Sequence, residues 1–264
     1  GLCLLLCTAI PRAEPAVLRL AGSTTLLPVL EKLARDFGRS QRDTEIRLEG
    51  GGSGRGIEAL LAGEVEIAAS SRFLQPAEID RFQDSGVLPV PFRVAYDAII
   101  PIVHKRNRVK SLSMAQLKKI YHGEIDNWRQ VGGADRPIVV VTRDSGSGTF
   151  QVWQEQVTGG DSTPAGGLRA ASTDAVVRHV AGRRGAIGYI GLASLNASVK
   201  PLRVDGVMGS IRNVHSGSYP LGRPLFLFTA GWPADGVLEF INFAVNPSTG
   251  QRVVEAAGFV PLHR

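Results

Sequence analysis

The sequence predicts an α/β protein of two lobes, each a mostly parallel sheet flanked by helices, joined by two hinge strands. Short runs of strand-forming residues alternate with amphipathic helical stretches through the 264 residues, an order typical of parallel sheets with right-handed crossovers. Glycine- and hydroxyl-rich turns separate a predicted strand from a predicted helix three times. One apolar stretch, residues 87–103, is unusually long for a strand of a single sheet.

The first five elements follow from hydrophobic periodicity. Residues 17–21 alternate in the manner of a strand, and apolar residues at helical spacing predict a helix over 28–37. A second alternating run at 45–48 precedes a predicted helix over 56–63, and residues 65–69 have the composition of a buried strand. This β-α-β-α-β order predicts the parallel sheet of the first lobe.

The apolar stretch over 87–103 is interrupted by Pro89, Pro91, Asp97 and Pro101. A strand that leaves one lobe and enters the other explains this length better than an uninterrupted strand within one sheet.

Two hinges would divide the chain into its lobes. We place them at 96–98 and near 219–225. One lobe then combines residues 16–96 with 223–264, and the other comprises residues 97–222.

The remaining elements follow from the same patterns. Helices are predicted over 113–121, from residue 148, over 237–243 and over 250–257, and strands over 137–142, 186–190 and 225–229. Residues 158–168 are rich in glycine, serine, threonine and proline and predict a surface loop.

The first ten residues, GLCLLLCTAI, form an apolar run shorter than the roughly 20 residues that a membrane-spanning helix needs. Secretory signals contain a run of this kind, so residues 1–13 are predicted to be a signal remnant with Ala13 as the cleavage edge. A lipid anchor on Cys7 and an ordinary N-terminal strand are the alternatives. We expect an exported protein, periplasmic or extracellular, and not a transmembrane one.

Composition excludes several kinds of site. Both cysteines, Cys3 and Cys7, lie in the first seven residues, so the body has no disulfide framework, cysteine metal site or thiol nucleophile. The five histidines lack metal-ligand spacing, and we predict neither a metal nor a cofactor. The formal charge of +6 suits an anionic ligand, but scattered basic residues and 6% aromatic content argue against nucleic acid.

Three turns that follow predicted strands concentrate the candidate chemistry. They are Gly22-Ser-Thr-Thr25, the glycine-rich segment 50–56, and the segment 143–149, which reads Arg-Asp-Ser-Gly-Ser-Gly-Thr. The first N–H groups of a helix favour an oxyanion, and Arg143 adds a charged, planar fork of donors. Each turn alone could be an ordinary helix cap, but three at the carboxyl ends of strands predict an oxyanion site.

Two enzyme motifs are missing from these turns. The sequence lacks Gly-x-x-x-x-Gly-Lys-Ser/Thr, and Gly146-Ser147-Gly148 does not form a Gly-x-Ser-x-Gly nucleophile elbow. No activated nucleophile is evident, so we predict a binding protein and not an enzyme. A phosphatase-like enzyme on the same scaffold is the alternative.

The segment 143–149 is similar to the R-x-x-G-S-G-T phosphate loop of the phosphate-binding proteins of bacterial phosphate ABC transporters (PstS-like, periplasmic binding protein family). The resemblance covers nearly the whole chain from about Leu18. Further motifs that carry it are Gly22-Ser-Thr-Thr25, Gly52-Ser-Gly54, Ile67-Ala-Ala-Ser-Ser-Arg72, Ile120-Tyr-His-Gly-Glu-Ile-Asp-Asn-Trp128, Gly185-Ala-Ile-Gly-Tyr189 and residues 240–262.

This resemblance implies a type II periplasmic-binding-protein fold, a monomer that holds inorganic phosphate between its lobes and delivers it to ABC transporter permease subunits. Asp144 would be a partner for Arg143 or an ordinary surface turn residue. By motif position the ligand residues would be Ser23, Thr24 and Thr25 from the first loop, Ser53 from the second, and Arg143, Ser147, Gly148 and Thr149 from the opposite lobe.

One position departs from the family pattern. Well-known members carry an aspartate just after the strand that here ends at Ser70, where it accepts the proton of bound phosphate and repels sulfate. This chain has Ser71 and Arg72 there, and we include both among the candidate ligand residues. Asp97 is either a substitute acceptor or a hinge aspartate. Sulfate and molybdate therefore remain alternative ligands, and a secreted adhesion or signalling module on the same fold remains a further alternative.

Overall fold

The computed structural model describes residues 16–41, 43–160 and 167–263. Its elements, in chain order, are β1 (Ala16–Gly22), α1 (Leu27–Ser40), β2 (Thr44–Glu49), α2 (Ser53–Leu61), β3 (Ile67–Ser70), α3 (Pro76–Asp84), β4 (Pro89–His104), β5 (Ser111–Leu112), α4 (Met114–Tyr121), β6 (Val139–Arg143), α5 (Gly148–Trp153), β7 (Leu168–Ala170), α6 (Thr173–Ala181), β8 (Ala186–Gly191), β9 (Val199–Pro201), β10 (Arg203–Val204), α7 (Ile211–His215), β11 (Gly222–Ala230), α8 (Asp235–Val245) and α9 (Gly250–Ala256).

Nine of the described strands form one long, mixed sheet in the order β2-β1-β3-β11-β4-β8-β6-β7, with β9 also paired to β4, while β5 and β10 form a separate parallel pair. Pairing is parallel among β2, β1 and β3, and again among β8, β6 and β7. β11 is antiparallel to β3 and β4, and β4 is antiparallel to β8. The predicted α/β fold is confirmed, with parallel pairs in each lobe and antiparallel pairs where the lobes join.

The strand β4 is a single 16-residue strand that changes partners along its length. Its first part pairs with β11 as far as Ala98, opposite Gly222. From Ile99 onwards it pairs with β8. The proline-interrupted apolar stretch is therefore a strand that serves both lobes, as the sequence predicts.

The buried residues separate into clusters on either side of this change of partners. One cluster draws its buried members from Ala98 to Leu221. The other two take theirs from positions up to Ala95 and from Leu225 onwards. The first cluster is the core of one lobe, and the other two clusters belong to the other lobe. The chain passes between these two lobes twice.

The helix α1 shows why the sequence folds as predicted in the first lobe. Its apolar residues recur at helical spacing and bury Val29, Leu30, Leu33 and Phe37 against the sheet. The ring of Phe37 meets that of Phe240 from α8 edge-on, with centroids 5.4 Å apart. Helices from both ends of the chain therefore close the same core.

Most predicted helices and strands are present, with ends within a few residues of the predicted ones. Several other helices and strands were not predicted. The predicted helix over 56–63 begins earlier, at Ser53, because the glycine-rich turn leads directly into it. Helices α3, α6 and α7 and the short strands β5, β7, β9 and β10 were not predicted from the sequence. The predicted signal remnant at 1–13, the proposed anchor Cys7 and most of the predicted loop 158–168 lie outside the described residues. No helix within the described ranges is long and apolar enough to cross a membrane.

Candidate functional site

The three turns singled out in the sequence meet between the lobes. They follow β1, β2 and β6, and backbone hydrogen bonds hold them together. The N–H of Gly52 donates to the carbonyl of Gly22 at 2.9 Å, and the N–H of Gly54 donates across the lobes to Gly146 at 3.1 Å. The carboxyl ends of strands from both lobes thus form the walls of one cleft.

Arg143 ends β6, and its own lobe fixes its guanidinium. Nε donates to the carbonyl of Ala170 at 2.9 Å and Nη2 donates to that of Ala171 at 3.2 Å. Nη1 donates to Thr24 Oγ1 in the other lobe at 3.4 Å. A guanidinium has five N–H donors, so two remain for an oxyanion.

Burial changes the pKa of this arginine but not its charge at neutral pH. Arg143 is 2% exposed, and burial lowers the pKa of its guanidinium, an effect that nearby Asp144 opposes and Arg223 reinforces. Because the pKa of arginine ordinarily lies above about 12, the lowered group still carries its charge at neutral pH. The cleft therefore presents a desolvated cation.

Threonine hydroxyls from both lobes face one another beside Arg143. The Oγ1 atoms of Thr25 and Thr149 lie 3.1 Å apart, and those of Thr24 and Thr173 lie 3.4 Å apart. Thr173, the first residue of α6, was not predicted from the sequence. Each hydroxyl can donate or accept a hydrogen bond, so this set can surround the oxygens of a tetrahedral anion.

Ser53, Ser71 and Gly148 form a close contact between the lobes. Ser53 Oγ lies 3.3 Å from Ser71 Oγ and accepts the N–H of Ser71 at 3.0 Å. A Cβ atom on Gly148 would lie 2.3 Å from Ser53 Oγ and 2.7 Å from Ser71 Oγ. Glycine at this position therefore lets the two lobes approach.

Two other predicted hydroxyl residues are buried at the cleft and tied to the backbone. Ser147 Oγ accepts the N–H of Phe150 at 3.3 Å and caps α5, which leaves its own proton free to donate. The backbone N–H of Ser23 donates to the carbonyl of Ala69 at 2.8 Å.

The guanidinium of Arg72 lies outside this hydroxyl cluster. It donates to both carboxylate oxygens of Glu78, at 2.6 and 2.7 Å, and to the carbonyl of Phe73 at 2.7 Å. Its Nε donates to Gln151 Oε1 on the other lobe. Arg72 and Gln151 both line a 760 Å³ cavity that also reaches Arg223. Arg72 thus links the lobes and is not gathered with the other candidate ligand residues.

Arg223, which lies in β11 and is 2% exposed, was not predicted from the sequence to belong to the site. Its Nη1 donates to Thr149 Oγ1 at 3.0 Å and to the carbonyl of Ser71 at 3.3 Å. Because Thr149 Oγ1 accepts this bond, its proton is available for another acceptor. A lone cation at the start of an otherwise apolar strand was the signal that could have found Arg223.

Asp97 is the counter-ion of Arg223. Its Oδ2 accepts from Nη2 at 2.8 Å and from Nε at 3.2 Å, and its Oδ1 accepts the N–H of Leu192 at 2.9 Å. The aspartate is completely buried. Both of its oxygens are already engaged, so its local role is to hold Arg223.

Asp144, considered as a partner for Arg143, forms no hydrogen bond or ion pair with it in the described part of the chain. Its influence is the electrostatic one on the pKa of Arg143. The described residues also contain no group of three or more histidine, cysteine or carboxylate side chains that could hold a metal ion.

Two α/β lobes that enclose a buried arginine and a ring of hydroxyls define a solute-binding protein of the two-lobed class. Residues 10–248 match the family model described as the PBP superfamily domain, and the chain belongs to this superfamily. The family resemblance drawn from the sequence motifs is thereby confirmed.

Individual relatives match over most of their length. The phosphate-binding protein PstS of Bacillus subtilis (strain 168) is 31% identical over 246 residues, covering 93% of this chain and 80% of the relative. A structure from Clostridium perfringens, described as a phosphate ABC transporter substrate-binding protein with bound phosphate, superposes with a TM-score of 0.87 at 33% identity, covering 94% of this chain and all of that one. An ABC-type phosphate transport receptor from Vibrio cholerae superposes with a TM-score of 0.76 at 28% identity, covering 92% of this chain and 99% of that one.

Proposed function

We propose that this protein captures inorganic phosphate in the cleft between its lobes and delivers it to the permease subunits of an ABC transporter. The observation that carries the proposal is the buried guanidinium of Arg143, which two carbonyl groups and Thr24 of the other lobe fix in place, so that two N–H donors remain for an anion beside hydroxyls of both lobes. The relatives add support, since the Bacillus protein is named for phosphate binding and the Clostridium structure holds phosphate.

The donors in the cleft are sufficient for a useful affinity. Hydrogen bonds to a charged group contribute about 1.5–3 kcal/mol each. Micromolar binding needs about 8 kcal/mol. Two N–H groups of Arg143 with the hydroxyls of Thr25, Ser147 and Thr149 can supply this after the cost of ordering the ligand.

The protein is a binding protein and not an enzyme. Its relatives are phosphate-binding proteins of transport systems. Among the described residues, the hydroxyls of the cleft contact other hydroxyls, backbone groups or arginine, and neither a histidine nor a free carboxylate lies within hydrogen-bond distance to act as a base.

The residues expected to select the anion differ from the family pattern. Ser71 replaces the carboxylate expected beside the ligand, and both oxygens of Asp97 are engaged by Arg223 and Leu192. We infer that hydroxyl oxygens accept the proton of bound phosphate here. A hydroxyl can also donate, so phosphate should be separated from sulfate less sharply than by a carboxylate.

Isothermal titration with phosphate, arsenate, sulfate and molybdate tests the proposal. Wild-type protein is expected to bind phosphate, and Arg143→Ala to lose about a hundredfold or more in affinity, because two charged hydrogen bonds disappear. Arg169→Ala removes an exposed arginine from the neighbouring strand β7 and should leave the affinity unchanged. Failure of all four anions to bind at millimolar concentration would refute the proposal. Tighter binding of sulfate or molybdate would assign the site to that anion.

Finer features of the same proposal follow from the sequence and the fold. We place the protein outside the cytoplasm, as its relatives of the PstS type are, with lipid attachment at Cys7 as a separate hypothesis. The division into residues 16–96 with 223–264 and residues 97–222 is supported by the separate buried clusters. We propose a monomer, which light scattering of the phosphate-loaded protein would test.

A further inference from the structure

Four arginines converge on a pocket at the end of the second lobe that faces away from the cleft. The pocket has a volume of 280 Å³ and is lined by Arg106, Asn107, Arg108, Trp128, Ala134, Arg136 and Arg184. We call it the distal basic pocket. Its residues come from the turn after β4 and from the segments that precede β6 and β8. Because β6 runs from this pole to Arg143, about 15 Å of strand separates the pocket from the cleft.

The four guanidinium groups have no counter-ion among the residues that the structure describes. Across residues 16–41, 43–160 and 167–263, none of Arg106, Arg108, Arg136 and Arg184 pairs with a carboxylate or donates a side-chain hydrogen bond. The adjacent Asp135 instead accepts from Asn127 at 2.9 Å and from Arg129 at 3.5 Å.

Several other exposed arginines of the same protein are paired with a carboxylate. Arg19 pairs with Glu66, Arg47 with Glu45 and Arg81 with Glu58. Four like charges gathered without a partner repel one another and raise the local positive potential. An anion bound between them would relieve this repulsion.

The backbone that carries the arginines is held in place. Trp128 is 1% exposed and forms the floor of the pocket, with its indole N–H donating to the carbonyl of Gly185 at 2.9 Å. Its backbone N–H donates to the carbonyl of Arg136 at 2.9 Å. A Cβ atom on Gly185 would lie 2.3 Å from the carbonyl oxygen of Pro137, so the two segments touch because this residue is glycine. A ligand would need to order side chains only, which lowers the entropic cost of binding.

The positive field of the pocket reaches the protein interior. Burial lowers the pKa of His104, and the surrounding cations lower it further: Arg184, Arg106, Lys105 and Arg136. The backbone N–H of Arg106 donates to His104 Nδ1 at 3.1 Å, so this imidazole nitrogen already serves as an acceptor.

We propose that the distal basic pocket is a second anion site, which binds a phosphate-bearing group with several negative charges. Guanidinium groups match phosphate oxygens through paired hydrogen bonds, and four of them suit a group that spreads its charge over more than one phosphate or over a phosphate and its neighbours. An oligophosphate chain carries such charges in one molecule, and neighbouring head groups at the surface of an anionic lipid bilayer carry them together.

Calorimetry with inorganic tripolyphosphate and sedimentation with phosphatidylglycerol vesicles test the two sources separately. The protein is first saturated with inorganic phosphate, and each measurement is repeated in Arg143→Ala, so that the result does not depend on the cleft. The test variant is Arg106→Gln with Arg184→Gln. The matched control is Arg35→Gln with Arg252→Gln, which removes two exposed arginines from the first lobe and lowers the net charge equally.

The wild-type protein is expected to bind one tripolyphosphate per chain, and the test variant to bind it about tenfold or more weakly, with the control within about twofold of wild type. Binding of vesicles with the same dependence on Arg106 and Arg184 would support the proposal with lipid as the source. Equal losses in both double variants would show a general effect of net charge and overturn it. Failure of both probes to bind would also overturn it.

Discussion

The guanidinium of Arg223 donates two hydrogen bonds to one oxygen of Asp97, at 2.8 and 3.2 Å, and water reaches neither side chain to any extent. The pair lies where β4 passes from one lobe to the other. Removing one member of such a buried pair leaves the other charge desolvated and unpaired.

We therefore expect Asp97→Asn to lower the free energy of unfolding by about 3–5 kcal/mol, the usual cost of breaking a buried ion pair. Chemical denaturation of both proteins without ligand measures the difference. Glu45→Gln breaks the exposed pair with Arg47 and should leave the stability unchanged within error. A loss below about 1 kcal/mol in Asp97→Asn would contradict the prediction, because it would mean that Arg223 finds another partner.

Gly148→Ala is expected to hold the lobes apart. The added methyl group would overlap Ser53 and Ser71, whose hydroxyls cannot both move without losing their contact with each other. Phosphate affinity should fall about tenfold or more, since interlobe donors no longer reach the anion together. Small-angle scattering with saturating phosphate should show a larger radius of gyration than for wild type.

Gly38→Ala is the control for this variant, because a Cβ atom there meets nothing within 4 Å. It should keep the wild-type affinity and radius. Wild-type affinity in Gly148→Ala would show that the serines adapt without separating the lobes.

Ser71→Asp is expected to sharpen the choice between phosphate and sulfate. A carboxylate at this position can accept the proton of phosphate but repels sulfate, which has no proton to donate at neutral pH. The ratio of the two dissociation constants, measured by calorimetry, should shift towards phosphate by about tenfold. Ser198→Asp adds the same charge at an exposed position and should leave the ratio unchanged. An unshifted ratio in Ser71→Asp would indicate that residue 71 does not face the anion.

Tyrosines in the core of the second lobe predict a loss of stability at alkaline pH. Burial raises the pKa of Tyr189 to about 12, and burial also raises those of Tyr121 and Tyr219. The unfolded chain releases its phenolic proton near pH 10. Between about pH 10 and about pH 12 the folded state therefore keeps a phenolic proton that the unfolded state has lost. Ionisation then favours the unfolded chain, so the free energy of unfolding is unaffected below about pH 10 and falls as the pH rises towards about 12.

Urea denaturation at pH 9, 10, 11 and 12 measures this effect. Tyr189→Phe keeps the stacked ring, whose centroid lies 4.3 Å from that of Trp153, and removes one titrating group. Its free energy of unfolding should fall less steeply above pH 10 than that of wild type. Parallel pH profiles for the two proteins would contradict the assignment.

Local sequence patterns predicted the elements whose stability depends on periodic burial. The apolar spacing of α1 and the alternation of β1 and β2 lie within short windows, so they could be read without tertiary information. The helix α3 was missed because Phe82 is its single fully buried residue and most of its other residues are polar. Its start at Pro76, with Glu78 completing the cap, was a detectable signal.

The site was predictable where its residues lie in motifs and unpredictable where they pair over long distances. Arg143 stands in a glycine- and hydroxyl-rich turn, which local chemistry marks as an anion loop. Arg223 and Asp97 are 126 positions apart, and the sequence around either residue does not indicate that it pairs with the other. The Arg72 guanidinium pairs with Glu78, which is only six positions away, but the direction in which it is drawn from the cleft depends on how the start of α3 packs and not on the motif around Arg72.

The shared strand β4 has a mechanical consequence. The chain passes between the lobes in β4 and β11, so one lobe can rotate against the other only by bending these two strands. A pivot at that place passes close to Asp97 and Arg223, where displacement is smallest. A rotation of one lobe about this pivot can therefore leave the ion pair buried. Such a rotation would have to break the contacts that join the lobes, such as Gly54 with Gly146 and Thr25 with Thr149.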